Sequence, residues 1–433
     1  MPEMKDSGIE WIREIPTSWT RDSIKYHYQI TLGKMVNTTV TDETKLSNYL
    51  CAANVKWPGV NTDVNKKMFF SEPEKSQYLL KLGDILIMEG GTAGTTCIYR
   101  GEFSPCYIQN SVLRCRPTGD NCARFLYFWM YVVFYSGYVM ATCNKATIMH
   151  YTKEKIESTP IAIPCYEEQS RIADFLDSKC SEIDDLAADI QKEIDILEEY
   201  KRSVIFDKCT HGLNSNVEVK KTDSDVWTQI PDGWKLVDIK YLFEIVKRIA
   251  GKEGYDVLSV TQKGLKVKDI TSGDGQLADD YSGYQFVYPT DYVMNHMDLL
   301  TGWVDLSDKF GVTSPDYRVF RLRDKKSNSL DYYKYIMQCC YMNRIFYSLG
   351  QGVSNLGRWR LQTSSFNNFK VPVPEKKEQE EIAEYLNNTV REVDATIEEK
   401  KQQRSTLEEY KKSLIYEYVT GKKEVPHAEK DND

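Results

Sequence analysis

The chain has 433 residues, 41% of them hydrophobic and 28% charged, and a formal net charge of −8; that is length enough for roughly two or three domains with real cores. The charged start "MPEMKDSGIEW" shows no signal-peptide pattern. Eleven cysteines without a Cys-x-x-Cys pair, Cys339 and Cys340 adjacent among them, and only five histidines suit neither a metal site nor a disulfide framework; they read as buried thiols in a reducing cytoplasm, with no cofactor.

In chain order, the opening "IPTSWTRDSIKYHYQI" (15 to 30) leads into short β-branched runs set off by Gly, Pro and Asn: "YLCAANV" (49 to 55), "GDILIM" (83 to 88), "TTCIYR" (95 to 100) and "SVLRCRP" (111 to 117). These predict strands. The run "FLYFWMYVVFYSGYVMA" (125 to 141) carries no charge, but its counterpart "LDYYKYIMQCCYMNRIFYSLG" is broken by Asp331, Lys334 and Arg344. Both read as aromatic helices packed on a sheet, not membrane spans. A Pro-punctuated strand, "TPIAIP", then precedes a long helix in which Leu176, Ile183, Ile190, Leu197 and Val204 fall seven residues apart, with Ile172, Ala173, Ala187 and Ile194 beside them. A glycine, Gly212, is placed to cap it in the left-handed conformation. Residues 213–229, containing "NSNVEVKKTDSD", read as a polar linker.

After the linker the plan repeats. "IPDGWKLVDIKYLFEI" (230 to 245) shares seven of sixteen positions with the first opening, namely Ile15/Ile230, Pro16/Pro231, Trp19/Trp234, Ile24/Ile239, Lys25/Lys240, Tyr26/Tyr241 and Ile30/Ile245. Strand candidates "YDVLSVT", "YQFVYP", "DYVMNHM" and "YRVFRL" follow, then "FKVPVP" and a second long helix with Leu386, Val393, Leu407 and Leu414 as its seam, Lys400 as the polar break and Gly421 as the cap. Residues 164–210 and 374–420 align without a gap, with 16 of 47 positions identical. The offset is far longer than a solenoid period, so the chain is a duplicated domain. The fold class expected is α+β: two strand-rich bodies, 1–163 and 230–373, each followed by a long helix, 164–212 and 374–421, with a disordered tail at 422–433. A helix of some 45 residues would run roughly 65 Å, too long to bury itself on one small body. Antiparallel pairing of the two helices as a coiled coil, with a pseudo-two-fold axis, satisfies both seams; the alternative is that each helix folds back on its own body.

Charge is unevenly placed. The helical stretches 167–208 and 375–423 carry −7 and −2 and the tail −3, while the rest sums to +4. The variable middles are mildly basic beside acidic helices.

Catalytic signatures are missing: there is no phosphate loop, no Gly-x-Gly-x-x-Gly, no His-Glu-x-x-His and no Asn/Asp-Pro-Pro-Phe/Tyr. The Gly-rich pieces "EGGTAG" (89 to 94) and "GQGVSNLGR" (350 to 358) lack the Lys-Ser/Thr of a nucleotide cradle. Such loops suit a different task, because glycine lets backbone approach a phosphate while neighbouring side chains reach base edges. "NKATIMHYTK" (144 to 153) and "SNLGRWR" (354 to 360) both follow the aromatic helix and precede the Pro strand, and "IQNS" (108 to 111) is a second cluster. Their amides, hydroxyls, histidine and arginines are the groups that read a major groove. The DNA-contact candidates are Lys34, Asn37, Thr92, Gln109, Asn110, Lys145, Thr147, His150 and Tyr151 in the first copy, and Thr313, Ser314, Ser354, Asn355, Arg358 and Arg360 in the second.

The opening "SGIEWIREIPTSW" and its echo "WTQIPDGW", the junctions "IAIPCYEEQSRIADFLD" and "VPVPEKKEQEEIAEYL", and the closings "LEEYKRSVI" and "LEEYKKSLI" resemble the DNA specificity subunit of type I restriction-modification systems, from about Gly8 to Gly421. The junctions "PCYEEQ" and "PEKKEQ" are less proline-rich than is usual there. The resemblance implies two target recognition domains, each reading one half of a split, asymmetric site in double-stranded DNA, and a helical spacer that sets the halves about one duplex turn, roughly 34 Å, apart. It implies two methyltransferase subunits as partners and, through them, restriction subunits, or else a nuclease fused to the methyltransferase. The chain itself would be non-catalytic and cytoplasmic. A coiled-coil scaffold joining two protein-binding modules without DNA is the alternative from another class.

Overall fold

The computed structural model describes residues 3–36, 44–143, 149–214, 216–270, 278, 280–352 and 359–426. The chain forms two compact units, one from Met1–Asp189 with Gln403–Asp433, the other from Ile190–Gln402. Each unit therefore combines one α+β body with part of both long helices.

The two units repeat one element order. In the first, a small hairpin pairs Met4–Asp6 with Glu14–Pro16, and Thr20–Ser23 pairs with Pro160–Ile163. A four-stranded antiparallel sheet then runs in the spatial order Tyr28–Leu32, Val112–Pro117, Ile85–Met88, Thr96–Ile98. The second unit repeats the pieces: Val219–Lys221 with Gln229–Pro231, Lys235–Asp238 with Lys370–Val373, and the sheet Phe243–Val246, Arg318–Leu322, Tyr292–Met294, Val304–Leu306. The aromatic helices Ala123–Tyr135 and Leu330–Met342 pack on these sheets as expected, and among the described residues no helix is long and apolar enough to cross a membrane. The bodies diverge in their second sheets. The first unit has three strands, Lys66–Ser71, Thr44–Leu50 and Cys106–Ile108, with the last pair parallel; the second has the pairs Leu258–Thr261 with Gly264–Val267 and Gln285–Val287 with Gly311–Thr313.

The recurring Glu-Gln of the two junctions has a structural task in each unit. Gln169 is buried in the first turn of the long helix, where its Nε2 donates to the Pro164 carbonyl (2.9 Å) and its Oε1 accepts from the Cys122 amide (2.9 Å) at the start of the aromatic helix. Gln379 does the same with Pro374 (3.0 Å) and Ser329 (2.8 Å). A buried amide satisfied at both ends thus ties the Pro strand, the long helix and the aromatic helix together.

The long helices span Tyr166–His211 and Lys376–Val419, and they pair antiparallel. In the first unit Leu176 and Ile183 share a core with Leu407, Leu414, Ile415 and Val419. In the second, Ile190, Ile194 and Leu197 pack on Val393 and Ile397, while Val204 and Ile205 share a core with Leu386. Charge pairs repeat the register: Lys411 Nζ meets Asp184 at 2.7 Å in one unit, and Lys201 Nζ meets Asp394 at 2.6 Å in the other. These lysines close the two "LEEYK" motifs and the aspartates are each other's counterparts. The seven-residue seam needs one refinement. At its middle the deepest residues are Ile194 and Ile397, with Ile190 and Leu197 only partly buried, because an α-helix drifts against a strict seven-residue repeat. The polar break is also paired, Lys400 Nζ lying 2.6 Å from Glu193.

Both caps form as expected, with Gly212 at φ +75° and Gly421 at φ +70°. Each is also a close approach: a Cβ on Gly421 would lie 2.4 Å from Pro16 Cδ and 3.2 Å from Trp19, and one on Gly212 would lie 3.1 Å from Trp234. The recurring openings are the seats on which the helix ends rest. Three expectations need correction. The segment 213–229 is not a plain linker, since Val219–Lys221 pairs with Gln229–Pro231 and Trp227 is buried with its indole on the Lys370 carbonyl at 2.7 Å. The run read as a strand through Val55 ends at Leu50, where Asn54 turns the chain by accepting the Cys51 amide at 3.0 Å. In the tail, Val425 packs against the first unit's core, and residues 427–433 lie outside the described residues. Of the eleven cysteines all are free thiols and only Cys165 is exposed.

Candidate nucleic-acid interface

In each unit the turn that joins an inner strand of the four-stranded sheet to its edge strand, Ile85–Met88 to Thr96–Ile98 or Tyr292–Met294 to Val304–Leu306, meets the segment that follows the aromatic helix. In the first unit that turn is "EGGTAG". The Glu89 amide donates to the Ser111 carbonyl (3.0 Å), the Glu89 carbonyl accepts from the Tyr151 amide (2.7 Å), and Gly90 bridges His150. The Asn110 amide in turn donates to the Lys34 carbonyl at 2.8 Å. That last approach needs Gly33, where a Cβ would sit 2.3 Å from the Gln109 carbonyl oxygen. Three segments far apart in sequence are thereby laid side by side along one edge.

Four candidates stand on this edge. Thr92 and His150 are exposed. Gln109 and Asn110 are half-buried and pre-set: Gln109 Nε2 donates to Asn110 Oδ1, and Ser111 Oγ donates to Gln109 Oε1. Side-chain amides held in this way keep one orientation, as bidentate reading of an adenine edge requires.

The second unit builds the equivalent edge from other side chains. The Leu361 amide donates to the His296 carbonyl (3.0 Å), the Leu299 amide to the Trp359 carbonyl (3.2 Å), and Gln351 and Arg360 exchange backbone hydrogen bonds (3.0 and 3.1 Å) across the neck of the loop. Arg360 is exposed there, while Trp359 packs against Tyr347. Beneath it, buried Arg318 donates to the Leu361 carbonyl at 3.0 Å and lies 4.5 Å from the Phe366 ring centroid. His296 is 7% exposed and its Nδ1 has no hydrogen-bond partner among the described residues. Burial first, then the Arg318 and Arg360 guanidiniums, push its pKa down to about 3, so the imidazole stays neutral. Exposed Arg360 offers planar donors, the pattern that suits guanine acceptors and phosphate, and buried Arg318 adds positive potential beneath it.

Three candidates are engaged inside the fold instead. Lys34 Nζ lies 2.6 Å from Glu74 and 2.9 Å from the Phe69 carbonyl; its charge braces the second sheet. Tyr151 is fully buried, with its hydroxyl on Thr159. Thr313 is buried with Oγ1 donating to the Leu258 carbonyl at 2.9 Å. Ser314, whose carbonyl accepts from Gln285 at 2.9 Å, stands in the turn between Gly311–Thr313 and Arg318–Leu322. Asn37, Lys145, Thr147, Ser354, Asn355 and Arg358 lie outside the described residues. Missed altogether were Glu89, His296, Arg318 and Trp359. The available signal was positional: "NHM" follows its strand in the second copy as "EGG" does in the first. A hollow of about 510 Å³ lined by Arg100, Arg124, Tyr166 and Asp177 lies at the other end of Ile85–Met88 and Thr96–Ile98, beside Gly83, and Asp174 and Asp177 already neutralise Arg124.

Comparison with known proteins agrees with this architecture. The chain is 24% identical over 374 residues to the type I restriction enzyme MjaVIII specificity subunit of Methanocaldococcus jannaschii, covering 82% of each chain. A solved chain from work on complex assembly and conformational transition of the type I R-M system superposes with a TM-score of 0.67 at 13% identity, covering 94% of this chain and 99% of that one, and so shares the fold. The model of the type I restriction modification DNA specificity domain matches twice, at residues 33–195 and 231–408. The chain, with its two strand-rich bodies and paired long helices, belongs to that DNA specificity family.

Proposed function

We propose that this chain is the sequence-specific DNA-binding subunit of a type I restriction-modification complex, and that each unit reads one half of an asymmetric bipartite site in double-stranded DNA. The observation that carries this reading is the edge built twice by the same strand-turn and loop, but furnished differently: Thr92, Gln109, Asn110 and His150 in one unit, Arg360 above Arg318 and His296 in the other. Equal frames with unequal side chains read unequal half-sites. Lys34, Tyr151 and Thr313 hold the frames. The chain performs no chemistry itself and works in the cytoplasm; two methyltransferase subunits modify adenines at the site, and restriction subunits join through them. Partner subunits supply much of the phosphate neutralisation that an acidic chain lacks.

The test is to co-express the chain with the methyltransferase of its system and map methylated adenines across the genome. A split motif, one half of which changes when residues 31–157 are exchanged for those of a relative, is the expected result. Methylation that does not depend on the chain would overturn the reading and leave a DNA-free scaffold in its place.

A further inference from the structure

The seven positions shared by the two openings divide by burial. Ile15/Ile230, Pro16/Pro231, Trp19/Trp234 and Ile24/Ile239 are buried in both units, and Ile30 is buried in the first. Packing accounts for their recurrence. It does not account for Tyr26 and Tyr241, which are 64% and 68% exposed and rank among the most exposed large hydrophobic side chains of the described residues. In both units the preceding lysine places its ammonium over the tyrosine ring, 4.9 Å from the centroid for Lys25 and 5.2 Å for Lys240.

The "LEEYK" motifs show the same division. Leu197 and Leu407 pack in cores, and Lys201 and Lys411 pair with aspartates. Tyr200 and Tyr410 are 47% and 56% exposed. Each unit thus carries one tyrosine of each kind, Tyr26 with Tyr410 in the first and Tyr241 with Tyr200 in the second.

Position argues against contact with the bases. In the first unit Leu32 lies opposite Leu113, and Val112 opposite Met88, where the reading turn begins; Tyr28, next to Lys25–Tyr26, lies opposite Pro117 at the far end of the sheet. In the second, Met294 lies opposite Arg318 at the reading end, and Phe243, next to Lys240–Tyr241, opposite Leu322 at the other. The recurring Lys–Tyr pair therefore sits at the opposite end of the sheet from the reading edge in both units.

We propose that Lys25–Tyr26 and Lys240–Tyr241 are the centres of two like docking surfaces, one per unit, for a protein subunit present in two copies. The occupant is the methyltransferase subunit, so the inference rests on reading the chain as a specificity subunit. An exposed tyrosine held by a cation presents a rigid, half-apolar face, the side-chain type that anchors protein interfaces. A feature retained twice, outside the core and away from the variable edge, fits a partner that meets the chain twice in the same way.

The experiment uses the full-length chain titrated with the methyltransferase subunit from the same system, with stoichiometry read by native mass spectrometry and folding checked by thermal unfolding. Wild type takes up two subunits. Tyr26→Ala and Tyr241→Ala each retain one tight site and weaken the other at least tenfold, and the double variant, with unchanged melting, weakens both. A folded double variant that still takes up two subunits at wild-type affinity overturns the proposal. So does a double variant that keeps both subunits while the complex loses DNA affinity equally on all sequences; that result assigns the pair to the phosphate backbone. Wild type that takes up no methyltransferase refutes the specificity-subunit reading itself, and does so before any substitution is made.

Discussion

Replacing Gln379 by alanine tests whether the buried amide staple holds the second unit together. The side chain is buried and serves two backbone groups, the Pro374 carbonyl at 3.0 Å and the Ser329 amide at 2.8 Å. Alanine takes both partners away. Withdrawing a partner from a buried polar group costs about 1–3 kcal/mol each, so the loss is about 2–6 kcal/mol, against a gain of only a few tenths from alanine's helix preference. Gln379→Glu keeps an acceptor for Ser329 but loses the donor to Pro374 and buries a charge, and is expected to be worse. The assay is urea unfolding followed by circular dichroism, comparing midpoints at equal slope. Gln169→Ala, which removes the bonds to Pro164 and Cys122, should cost a similar amount in the first unit, and the two losses should add within about 0.5 kcal/mol because the sites share no partner. A loss below about 1 kcal/mol for either single variant would refute the account of the Glu-Gln motif.

Acidification should weaken the second unit through His296: the unfolded chain takes up a proton near 6.5, the folded chain only near 3, so stability is lost as pH falls between those values; melting at pH 7.5 and 5.5 should show a shallower drop in His296→Gln, and equal drops contradict it. Gly421→Ala forces a Cβ to 2.4 Å from Pro16 at φ +70°, whereas Gly137→Ala at φ +81° meets open space; the first should cost more than the roughly 1 kcal/mol expected of the second, as read from urea midpoints. Arg360→Ala should relax one half of the methylated motif and leave the other unchanged, with a loss of about 1–3 kcal/mol in discrimination by competition binding. A circular permutant opened at residue 216, with residue 426 linked to residue 3, should fold with a melting temperature close to wild type, because Gly421 rests on Pro16 and the Thr17 amide bonds the Glu3 carbonyl at 2.8 Å; a chain without a cooperative transition would show otherwise.

The duplication, the α+β class, the paired helices and both glycine caps were legible because each depends on a periodic or repeated pattern. Leu176 to Val204 announce a helix by spacing alone. What stayed hidden depends on burial of single polar groups. Nothing local distinguishes Thr313, whose hydroxyl is buried on the Leu258 carbonyl, from Thr92, which faces solvent. Lys34 looked like a phosphate contact because Glu74 stands forty residues away in sequence and 2.6 Å away in space. His296 was hidden by the strand pattern of "DYVMNHM", which ends at Met294, leaving the histidine in the turn that the loop closes over.

The two recurring openings have a common mechanical sense. In the first unit the end of the second copy's helix, at Gly421, rests on the first copy's Pro16 and Trp19; in the second unit the end of the first copy's helix, at Gly212, rests on Trp234. Each body is closed by the helix of the other copy. The docking residues sit at one end of each sheet and the reading turns at the other, with buried strands between them. Side chains at Thr92, Asn110, His150 or Arg360 are therefore free to vary without disturbing the helix seats, and the frame is free to stay constant while the bases it addresses change. Duplication within one chain makes the frames alike and the readers independent, as an asymmetric split target demands.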